Sequence, residues 1–258
     1  LLVRILYRMA ILMGVSVVVT SGKGGVGKST VALGLGRSLA QKGRRVLLVD
    51  CDAGLRSLDR MTGAEENLVF DISDVVFGRC APAEAIYPCG EGEGLFLLPA
   101  PSAGENMIRP AVMRKLVPLL KRYYDYVLLD SPAGVGGGFR SAACAADKAL
   151  IVCSPDPVCV RNAGAAKDLL EKLGIENRRL VINRFSAPLF SATGAYKDLD
   201  GVIDAAGVRL FGLVPEDALL AAAFLRGRAA PVDSRAMKAL CRMSGRLEGE
   251  AIPIPDQL

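Results

Sequence analysis

Short apolar runs recur along the chain, and longer segments with a helical spacing of apolar residues separate them. The first run, residues 14–20 (GVSVVVT), is uncharged and rich in β-branched side chains, which is typical of a strand buried on both faces of a sheet. Six later runs have the same character. They span residues 46–49, 95–98, 126–129, 149–153, 180–182 and 210–214.

Helical patterns occupy the stretches between these runs. The clearest cover residues 28–41, 111–123, 158–173 and 219–226. Strands that alternate with helices predict a mostly parallel sheet with helices on both faces. The 258 residues contain no Pro/Gly/Ser-rich linker and no internal repeat, so we expect a single α/β domain. Ligands of such sheets bind beyond the carboxyl ends of the strands.

The composition narrows the chemistry. The chain is 51% hydrophobic, and its net charge of +5 permits an anionic partner without requiring one. The absence of histidine excludes Ser-His-Asp and Cys-His nucleophiles and His-ligated metal sites. The seven cysteines lack C-x-x-C spacing, and we interpret them as buried reduced thiols, as in Cys144, Cys153 and Cys241. No apolar run reaches the roughly 18 to 20 residues that span a bilayer.

A Gly-rich loop follows the first predicted strand and opens the first predicted helix. Residues 22–29 (GKGGVGKS) satisfy the phosphate-loop pattern G-x-x-x-x-G-K-[ST] in the context that it requires. Glycines let backbone N–H groups approach phosphate oxygens, and the helix N-terminus favours negative charge. We expect Lys28 to reach the β- and γ-phosphates and Ser29 to bind Mg²⁺. The predicted nucleotide-binding residues of the loop are Gly22, Lys23, Gly24, Gly25, Val26, Gly27, Lys28, Ser29 and Thr30.

Lys23 is a second lysine that the general pattern does not require. It cannot easily reach the phosphates of its own nucleotide together with Lys28, but it could reach those of a facing subunit. A solvated loop lysine is the alternative.

Three carboxylates follow predicted strands at the same edge of the sheet. Asp130 ends the run YVLLD, where a P-loop ATPase holds its Mg²⁺. Asp52 is a candidate for orienting the attacking water, with Asp50 as support; the alternative is that Asp50 and Asp52 cap a turn. We therefore predict Lys23, Lys28, Asp52 and Asp130 as catalytic, and Ser29, Asp50 and Asp130 as metal-binding. Four glycines after Asp130 suggest a segment that changes with the γ-phosphate. They are Gly134, Gly136, Gly137 and Gly138.

The runs TSGKGGVGKST, LLVDCDAGLRSLD and LLDSPAGV, with the later VINRF and GLVPED, resemble the MinD group of the MinD/ParA family of deviant Walker A P-loop ATPases. The likeness covers about residues 14–248. It implies a Mg²⁺-dependent ATPase with a single P-loop NTPase domain. It further implies that Lys23 acts across an ATP-dependent homodimer, with Asp52 positioning water and Asp130 serving Mg²⁺. Residues implied to frame the adenine are Asn183, Pro215, Glu216 and Asp217.

In this group ATP drives dimerisation and membrane attachment, and members that position the division septum work with a protein activator and an effector. The resemblance therefore implies a cytoplasmic protein, with the inner face of the cell membrane as a further location. A ParA-like ATPase that partitions DNA or cargo is the alternative, and a metal-cluster carrier of the same superfamily is a weaker one.

The chain departs from the group at several points. Ser57 stands where asparagine is usual, and Asn162 stands where aspartate is common. The sequence ends in AIPIPDQL, which cannot form the usual basic amphipathic helix that inserts into membrane. Just upstream, a predicted helix has an apolar side and a basic side. We interpret it as packed on the domain, with docking on anionic lipid or nonspecific DNA as the alternative. The basic residues are Arg235, Lys238, Arg242 and Arg246, and the apolar ones are Ala236, Leu240, Met243 and Leu247.

Residues 1–13 (LLVRILYRMAILM) are apolar and contain Arg4 and Arg8. We interpret them as an N-terminal extension with little structural role, and a membrane-touching amphipathic helix is the alternative. The expected organisation is thus an extension at 1–13, an ATPase domain at 14–248 and a C-terminal tail at 249–258.

Overall fold

The computed structural model describes residues 13–90, 94–102, 108–231 and 233–255, and eight strands form one sheet within them. The strands are β1 (Val15–Thr20), β2 (Val46–Asp50), β3 (Tyr87–Pro88), β4 (Leu95–Leu98), β5 (Tyr126–Asp130), β6 (Lys148–Cys153), β7 (Asn177–Phe185) and β8 (Leu210–Pro215). Their order across the sheet is β3-β4-β2-β5-β1-β6-β7-β8. Every neighbouring pair is parallel except β3 and β4, so the predicted mostly parallel sheet is confirmed.

Ten α-helices accompany the sheet in the part of the chain that the structure describes. They are α1 (Lys28–Gln41), α2 (Ser57–Thr62), α3 (Ile72–Val76), α4 (Pro110–Leu120), α5 (Gly137–Ala143), α6 (Pro157–Lys172), α7 (Ala187–Thr193), α8 (Leu199–Ala206), α9 (Ala218–Leu225) and α10 (Arg235–Leu247). The predicted helices correspond to α1, α4, α6, α9 and α10 within a few residues. The other five helices and β3 were not predicted.

The helices lie on both faces of the sheet. From β1 the chain moves through α1 in one direction along the sheet to β2, whereas the connections that contain α4, α5, α6 and α8 move in the opposite direction. Because parallel crossovers are right-handed, α1 covers one face and the other four helices cover the opposite face. The contacts agree, since α10 packs on α1, α4 packs on α5 and α6 packs on α8.

The central strands are buried along their whole length, as their uncharged β-branched sequences predict. Val17, Val18 and Val19 of β1 are fully inaccessible, and so is the run Val46–Asp50 of β2. The parallel pairing of β1 and β2 with β5 brings the carboxyl ends of these three strands together at one edge of the sheet.

The apolar side of α10 is packed on the domain, which confirms that interpretation. A Cβ atom at Gly34 of α1 would lie 2.4 Å from Leu240, and one at Gly212 of β8 would lie 2.4 Å from Met243, so both glycines allow the helix to approach closely. The predicted basic side is wrong for Arg246. Its guanidinium instead donates hydrogen bonds to the carbonyl oxygens of Phe211, Ile252 and Pro253, at 2.7 Å each.

The cysteines follow the prediction only in part. Cys51, Cys89, Cys153 and Cys159 are buried free thiols, but Cys241 is exposed because it lies on the outer side of α10. The predicted N-terminal extension lies outside the described residues except for Met13, and the proposed division into extension, domain and tail stays a prediction. Among the described residues, no helix combines the length and the apolar character that a membrane span requires.

Candidate nucleotide site

The predicted phosphate loop connects β1 to α1. Gly25 and Gly27 adopt positive φ angles of 77° and 89°, which side chains with a Cβ atom rarely allow. Gly27 is the N-cap of α1, no side chain caps this helix end, and its first turn contains no acidic residue. The first N–H groups of α1 therefore remain available to an anion, and the helix dipole favours negative charge there.

Two asparagines from distant parts of the chain support the loop. The buried Asn183 side chain of β7 donates a hydrogen bond to the Val26 carbonyl oxygen at 2.8 Å. A Cβ atom at Gly27 would lie 2.3 Å from the Asn183 amide nitrogen, and one at Gly22 would lie 2.3 Å from the Asn162 carbonyl oxygen. These contacts require glycine at both loop positions. No local sequence pattern predicts either support.

Lys28 lies at the start of α1 with only 8% of its surface exposed. Burial lowers the pKa of its ammonium group, while the nearby carboxylates of Asp130 and Asp52 oppose that shift. The structure thus brings together three of the four residues that were predicted as catalytic. A buried ammonium group beside a helix N-terminus suits a phosphate that carries several negative charges.

Asp130 ends β5 and is almost completely buried. Burial raises the pKa of its carboxyl group to about 7; hydrogen bonding with Ser29 and the charge of Lys28 act against this rise, and Asp52 adds to it. One of its oxygens, Oδ1, is buried and has no hydrogen-bond partner. A buried carboxylate oxygen without a partner costs free energy unless it gains a ligand.

Asp50 ends the neighbouring strand in register with Asp130. Its Oδ1 accepts a hydrogen bond from the Asp52 N–H at 2.9 Å, and its Oδ2 accepts one from the Leu58 N–H at 3.4 Å. Burial, and then the charge of Asp130, raise the pKa of this carboxyl group well above its ordinary value. Asp50 therefore fixes the turn after β2, in line with the alternative interpretation. Its predicted role as a metal-binding residue stays a prediction.

Asp52 lies in that turn and is only partly buried. Its Oδ1 accepts a hydrogen bond from the Gly54 N–H at 3.2 Å, and its carbonyl oxygen accepts the N–H groups of Leu55 and Arg56. The side chain caps the turn while remaining accessible beside Lys28. Such a position allows it to contact a water molecule near the phosphates.

The residues around Asp130 fit a magnesium ion. Mg²⁺ prefers carboxylate, hydroxyl and water oxygens, and in P-loop proteins a Ser/Thr hydroxyl and a strand-end aspartate supply them. Ser29 and Asp130 are such a pair, and the unpartnered Oδ1 is the oxygen that a bound ion or its water would satisfy.

A cavity of about 430 Å³ adjoins the loop on the side of β7 and β8. Residues of the loop line it together with all the residues predicted to frame the adenine. Those lining residues include Gly25, Gly27, Thr30, Asn183, Pro215, Glu216 and Asp217. Glu216 is held in its wall by an ion pair with Arg184 at 3.3 Å. The geometry thus provides a phosphate-binding loop with an adjoining space for a base.

The Asp217 side chain has a structural role within this wall. Its Oδ1 accepts the N–H groups of Leu219 and Leu220, and its Oδ2 accepts the Ser234 hydroxyl and the Ala236 N–H. Burial acts to raise the pKa of this carboxyl group, but these hydrogen bonds outweigh it and lower the pKa. Asp217 therefore joins α9 to the start of α10.

A family model of the CobQ/CobB/MinD/ParA nucleotide binding domain matches residues 17–230. The chain belongs to this family. Within it the chain is similar to the MinD group. The septum site-determining protein MinD of Bacillus subtilis (strain 168) is 38% identical over 94% of this chain and 92% of its own length.

Two solved MinD structures share the fold. The MinC:MinD cell division protein complex of Aquifex aeolicus contains a chain with a TM-score of 0.85 and 36% identity, covering 94% of this chain and 99% of that one. The septum site-determining protein MinD of Pyrococcus horikoshii OT3, complexed with Mg-ADP, has a TM-score of 0.82 and 26% identity, covering 92% and 96%. The resemblance to the MinD group and the P-loop NTPase fold are therefore confirmed.

Lys23, the residue that the resemblance to the MinD group singles out, is exposed, in contrast to the buried Lys28. Its side chain is 47% exposed, and its ammonium nitrogen is 3.9 Å from Asp156 at the start of α6. Burial acts to raise the pKa of Asp156, but hydrogen bonds from Ser154 and the Cys159 N–H, together with the charge of Lys23, lower it. This loose, exposed pair leaves Lys23 free to reorient.

The glycine-rich segment after Asp130 is only partly a loop. Gly137 and Gly138 are the first residues of α5, and a Cβ atom at Gly138 would lie 2.5 Å from Pro132. Gly134 has a φ angle of 85°, which suits glycine alone among common residues. Its N–H donates a hydrogen bond to the Ser21 carbonyl oxygen at 3.2 Å, so this segment contacts the phosphate loop directly.

Proposed function

We propose that the chain is a MinD-type ATPase that hydrolyses ATP to ADP and phosphate in the presence of Mg²⁺ and acts in septum site determination. The observation that carries this proposal is the combination of an uncapped α1 N-terminus, a buried Lys28 and an unpartnered Asp130 oxygen at one strand edge. Family membership and the named MinD relatives support it.

Each group has a distinct task in this reaction. The loop N–H groups and Lys28 bind the phosphates and offset the charge that develops as the bond between the β,γ-bridging oxygen and the γ-phosphorus breaks. Asp52 orients the water whose oxygen attacks the γ-phosphorus. Ser29 and Asp130 would hold a magnesium ion, which would neutralise phosphate charge when bound.

Lys23 extends the site to a second subunit. Its weak pairing with Asp156 and its exposure let it reach a nucleotide held by a facing copy of the chain. In this proposal ATP favours a homodimer, and hydrolysis returns the chain to the monomer. The sharing of a catalytic lysine between copies makes turnover depend on protein concentration.

Protein partners are part of the same proposal. The Aquifex aeolicus relative forms a complex with MinC, so we propose an effector of that kind for this chain, together with a protein activator. We also propose that the protein is cytoplasmic and attaches to the inner face of the cell membrane. A ParA-like role on nonspecific DNA is less supported, because the relatives described above are septum site-determining proteins.

Turnover tests the enzymatic part. Phosphate release is measured with ATP and Mg²⁺ for the wild type, for Lys28→Ala and for Lys42→Ala. Lys42 follows α1 and pairs with Glu250 and Glu248 far from the loop, so it serves as a matched lysine control. Turnover lost in Lys28→Ala alone supports the proposal. A wild-type rate equal to that of Lys28→Ala overturns it.

Light scattering with ATP tests the dimer. Asp52→Ala, which blocks hydrolysis, is expected to accumulate dimers, whereas Lys23→Ala stays monomeric at the same concentration. Lys197→Ala changes an exposed loop lysine elsewhere and is expected to dimerise like the wild type. Monomers of Asp52→Ala at every ATP concentration would contradict the shared site. ATP-dependent, salt-sensitive binding to nonspecific DNA would favour the ParA-like alternative.

A further inference from the structure

The outer side of α4 and the turn that follows it carry basic and apolar side chains on one surface. We call this surface the α4 face, and it consists of Arg114, Lys115, Leu119, Arg122 and Tyr123, all exposed. The hydrogen bonds from the N–H groups of Arg122 and Tyr123 to the two preceding leucine carbonyls continue the helical turn. Met113, Leu116, Val117 and Leu120 occupy the opposite side of α4 and are buried. The α4 face is thus a true outer stripe of the helix.

The three cations of the α4 face are available to a partner. Within the described ranges, the side chains of Arg114, Lys115 and Arg122 have neither a hydrogen bond nor an ion pair. Two carboxylates close to this part of the chain are already engaged. Asp125 accepts the Arg45 N–H at 2.8 Å, and Asp147 accepts Lys121 at 2.6 Å as well as the Ser16 N–H and hydroxyl.

Large apolar groups lie among these charges. Leu119 is 47% exposed and Tyr123 is 66% exposed, and they are one helical turn apart. Solvation of a basic helix surface does not explain why an exposed leucine and an exposed tyrosine lie among its charges. An aromatic ring with a polar hydroxyl beside lysine and arginine is typical of a surface that meets lipid headgroups.

The chain enters the sheet next to this face. The Gly14 N–H donates to the Lys121 carbonyl oxygen at 2.8 Å, and Met13 before it is 41% exposed. The preceding sequence, residues 1–12, contains two arginines, no acidic residue and otherwise mainly apolar residues. Its positive charge does not complement the three cations of the α4 face, but both would be attracted to the same anionic surface.

We propose that the α4 face is a docking surface for an anionic lipid bilayer. This docking surface rests on the proposed function, because a MinD-type role supplies the reason to bind membrane. The residues of the α4 face lie outside the nucleotide site. The face lies near the start of β1, and the phosphate loop follows the end of that strand, roughly 20 Å away for six residues. A nucleotide in the loop therefore leaves the α4 face accessible.

Vesicle co-sedimentation of the full chain, with ATP and with ADP, tests this inference. The wild type is expected to bind vesicles of phosphatidylcholine with phosphatidylglycerol and to leave pure phosphatidylcholine vesicles largely unbound. Arg114→Gln with Lys115→Gln and Arg122→Gln should weaken binding roughly 100-fold, because each cation near an anionic surface contributes about a factor of five. Leu119→Ser should weaken it about 5-fold, because less apolar surface enters the headgroup region.

A matched variant controls for net charge. Lys172→Gln with Lys197→Gln and Arg209→Gln removes three exposed cations elsewhere, and it should bind anionic vesicles almost like the wild type. Equal losses in both triple variants, or no loss in either, overturn the inference. Absence of wild-type binding to anionic vesicles at low salt overturns it as well.

Two further measurements separate the partners and the proposals. Leu119→Ser should bind heparin, a polyanion without an apolar phase, as the wild type does; an equal loss on heparin and on vesicles would point to a polyanion partner and overturn the lipid assignment. All variants should retain wild-type ATP turnover. If the wild type hydrolyses ATP but does not bind vesicles, only the docking surface is rejected. If the wild type does not hydrolyse ATP, the proposed function is rejected.

Discussion

Asp50 and Asp130 end neighbouring strands in the same register, and both are buried, yet their surroundings differ. Backbone N–H groups of the following turn and of α2 donate to both oxygens of Asp50, whereas Asp130 keeps one buried oxygen without a partner. Position and burial are shared, so they do not distinguish the two residues. Hydrogen bonding distinguishes them: the first carboxylate stabilises a loop, and the second is available to a ligand.

Replacing Asp130 gives the largest expected effect. Asp130→Ala should lower ATP turnover 100- to 1000-fold, equivalent to about 3 to 4 kcal/mol, because the strand-end oxygen that serves Mg²⁺ is lost. The free energy of unfolding without nucleotide should stay the same or rise, because an unpartnered buried carboxylate is removed. Phosphate release and urea unfolding measure the two quantities. Asp168→Ala, at an exposed position, is the control, and normal turnover in Asp130→Ala would break the comparison.

The pH dependence of stability follows from the same carboxyl group. The folded chain keeps the Asp130 proton up to about pH 7, whereas the unfolded chain loses it near 3.8. The stability that the protonated form contributes is therefore present below 3.8 and is lost as the pH rises through about 7. We expect a decrease of about 4 kcal/mol without nucleotide, because each pKa unit corresponds to about 1.4 kcal/mol. Urea unfolding at a series of pH values measures it, and Asp130→Asn should flatten the curve; an unchanged slope in that variant would assign the effect elsewhere.

Asp50→Ala should act on stability first. It leaves the Asp52 and Leu58 N–H groups without acceptors, which should lower the free energy of unfolding by about 2 kcal/mol. Thermal and urea unfolding without nucleotide measure this change. If Asp50→Ala unfolds normally and instead abolishes Mg²⁺-dependent nucleotide binding, the two aspartates have the same role and the contrast between them is wrong.

Replacing Asn183, a neutral side chain that supports the phosphate loop, has the smallest expected effect. Asn183→Ala removes the hydrogen bond to the Val26 carbonyl oxygen and should weaken ATP binding about 5-fold, equivalent to about 1 kcal/mol. Calorimetric titration with a non-hydrolysable ATP analogue measures the affinity. Asn177→Ala, an exposed position at the start of the same strand, should bind like the wild type. Equal affinities in all three proteins would show that the loop holds its conformation without Asn183.

Features encoded in contiguous residues were predictable from the sequence. Buried central strands appear as uncharged apolar runs, and the phosphate loop as a complete motif between a strand and a helix. β3 was missed because its two residues, Tyr87 and Pro88, carry no apolar run. β7 begins at Asn177, earlier than predicted, because its first residues are polar and lie at the amino-terminal edge of the sheet.

Features that depend on distant contacts were not predictable. The hydrogen bond from Asn183 to Val26 joins residues 157 positions apart, and no local pattern marks it. The same holds for Arg246, which helical spacing placed on a basic side although three carbonyl oxygens bind its guanidinium. Which oxygens of Asp50 and Asp130 have hydrogen-bond partners was likewise not predictable, because it depends on the conformation of the turn after β2.

The central place of β1 has a consequence for the order of folding. Its neighbours are β5 and β6, so Val15 pairs with Tyr126, and Val17 pairs with Lys148. Closing such long loops is slow, and the strand that carries the phosphate loop has no partner until more than half of the chain is available. A nascent chain that stops before β5 contains the whole loop sequence, but β1 then lacks both of its neighbouring strands. ATP should therefore slow the unfolding of the finished protein without speeding its first assembly.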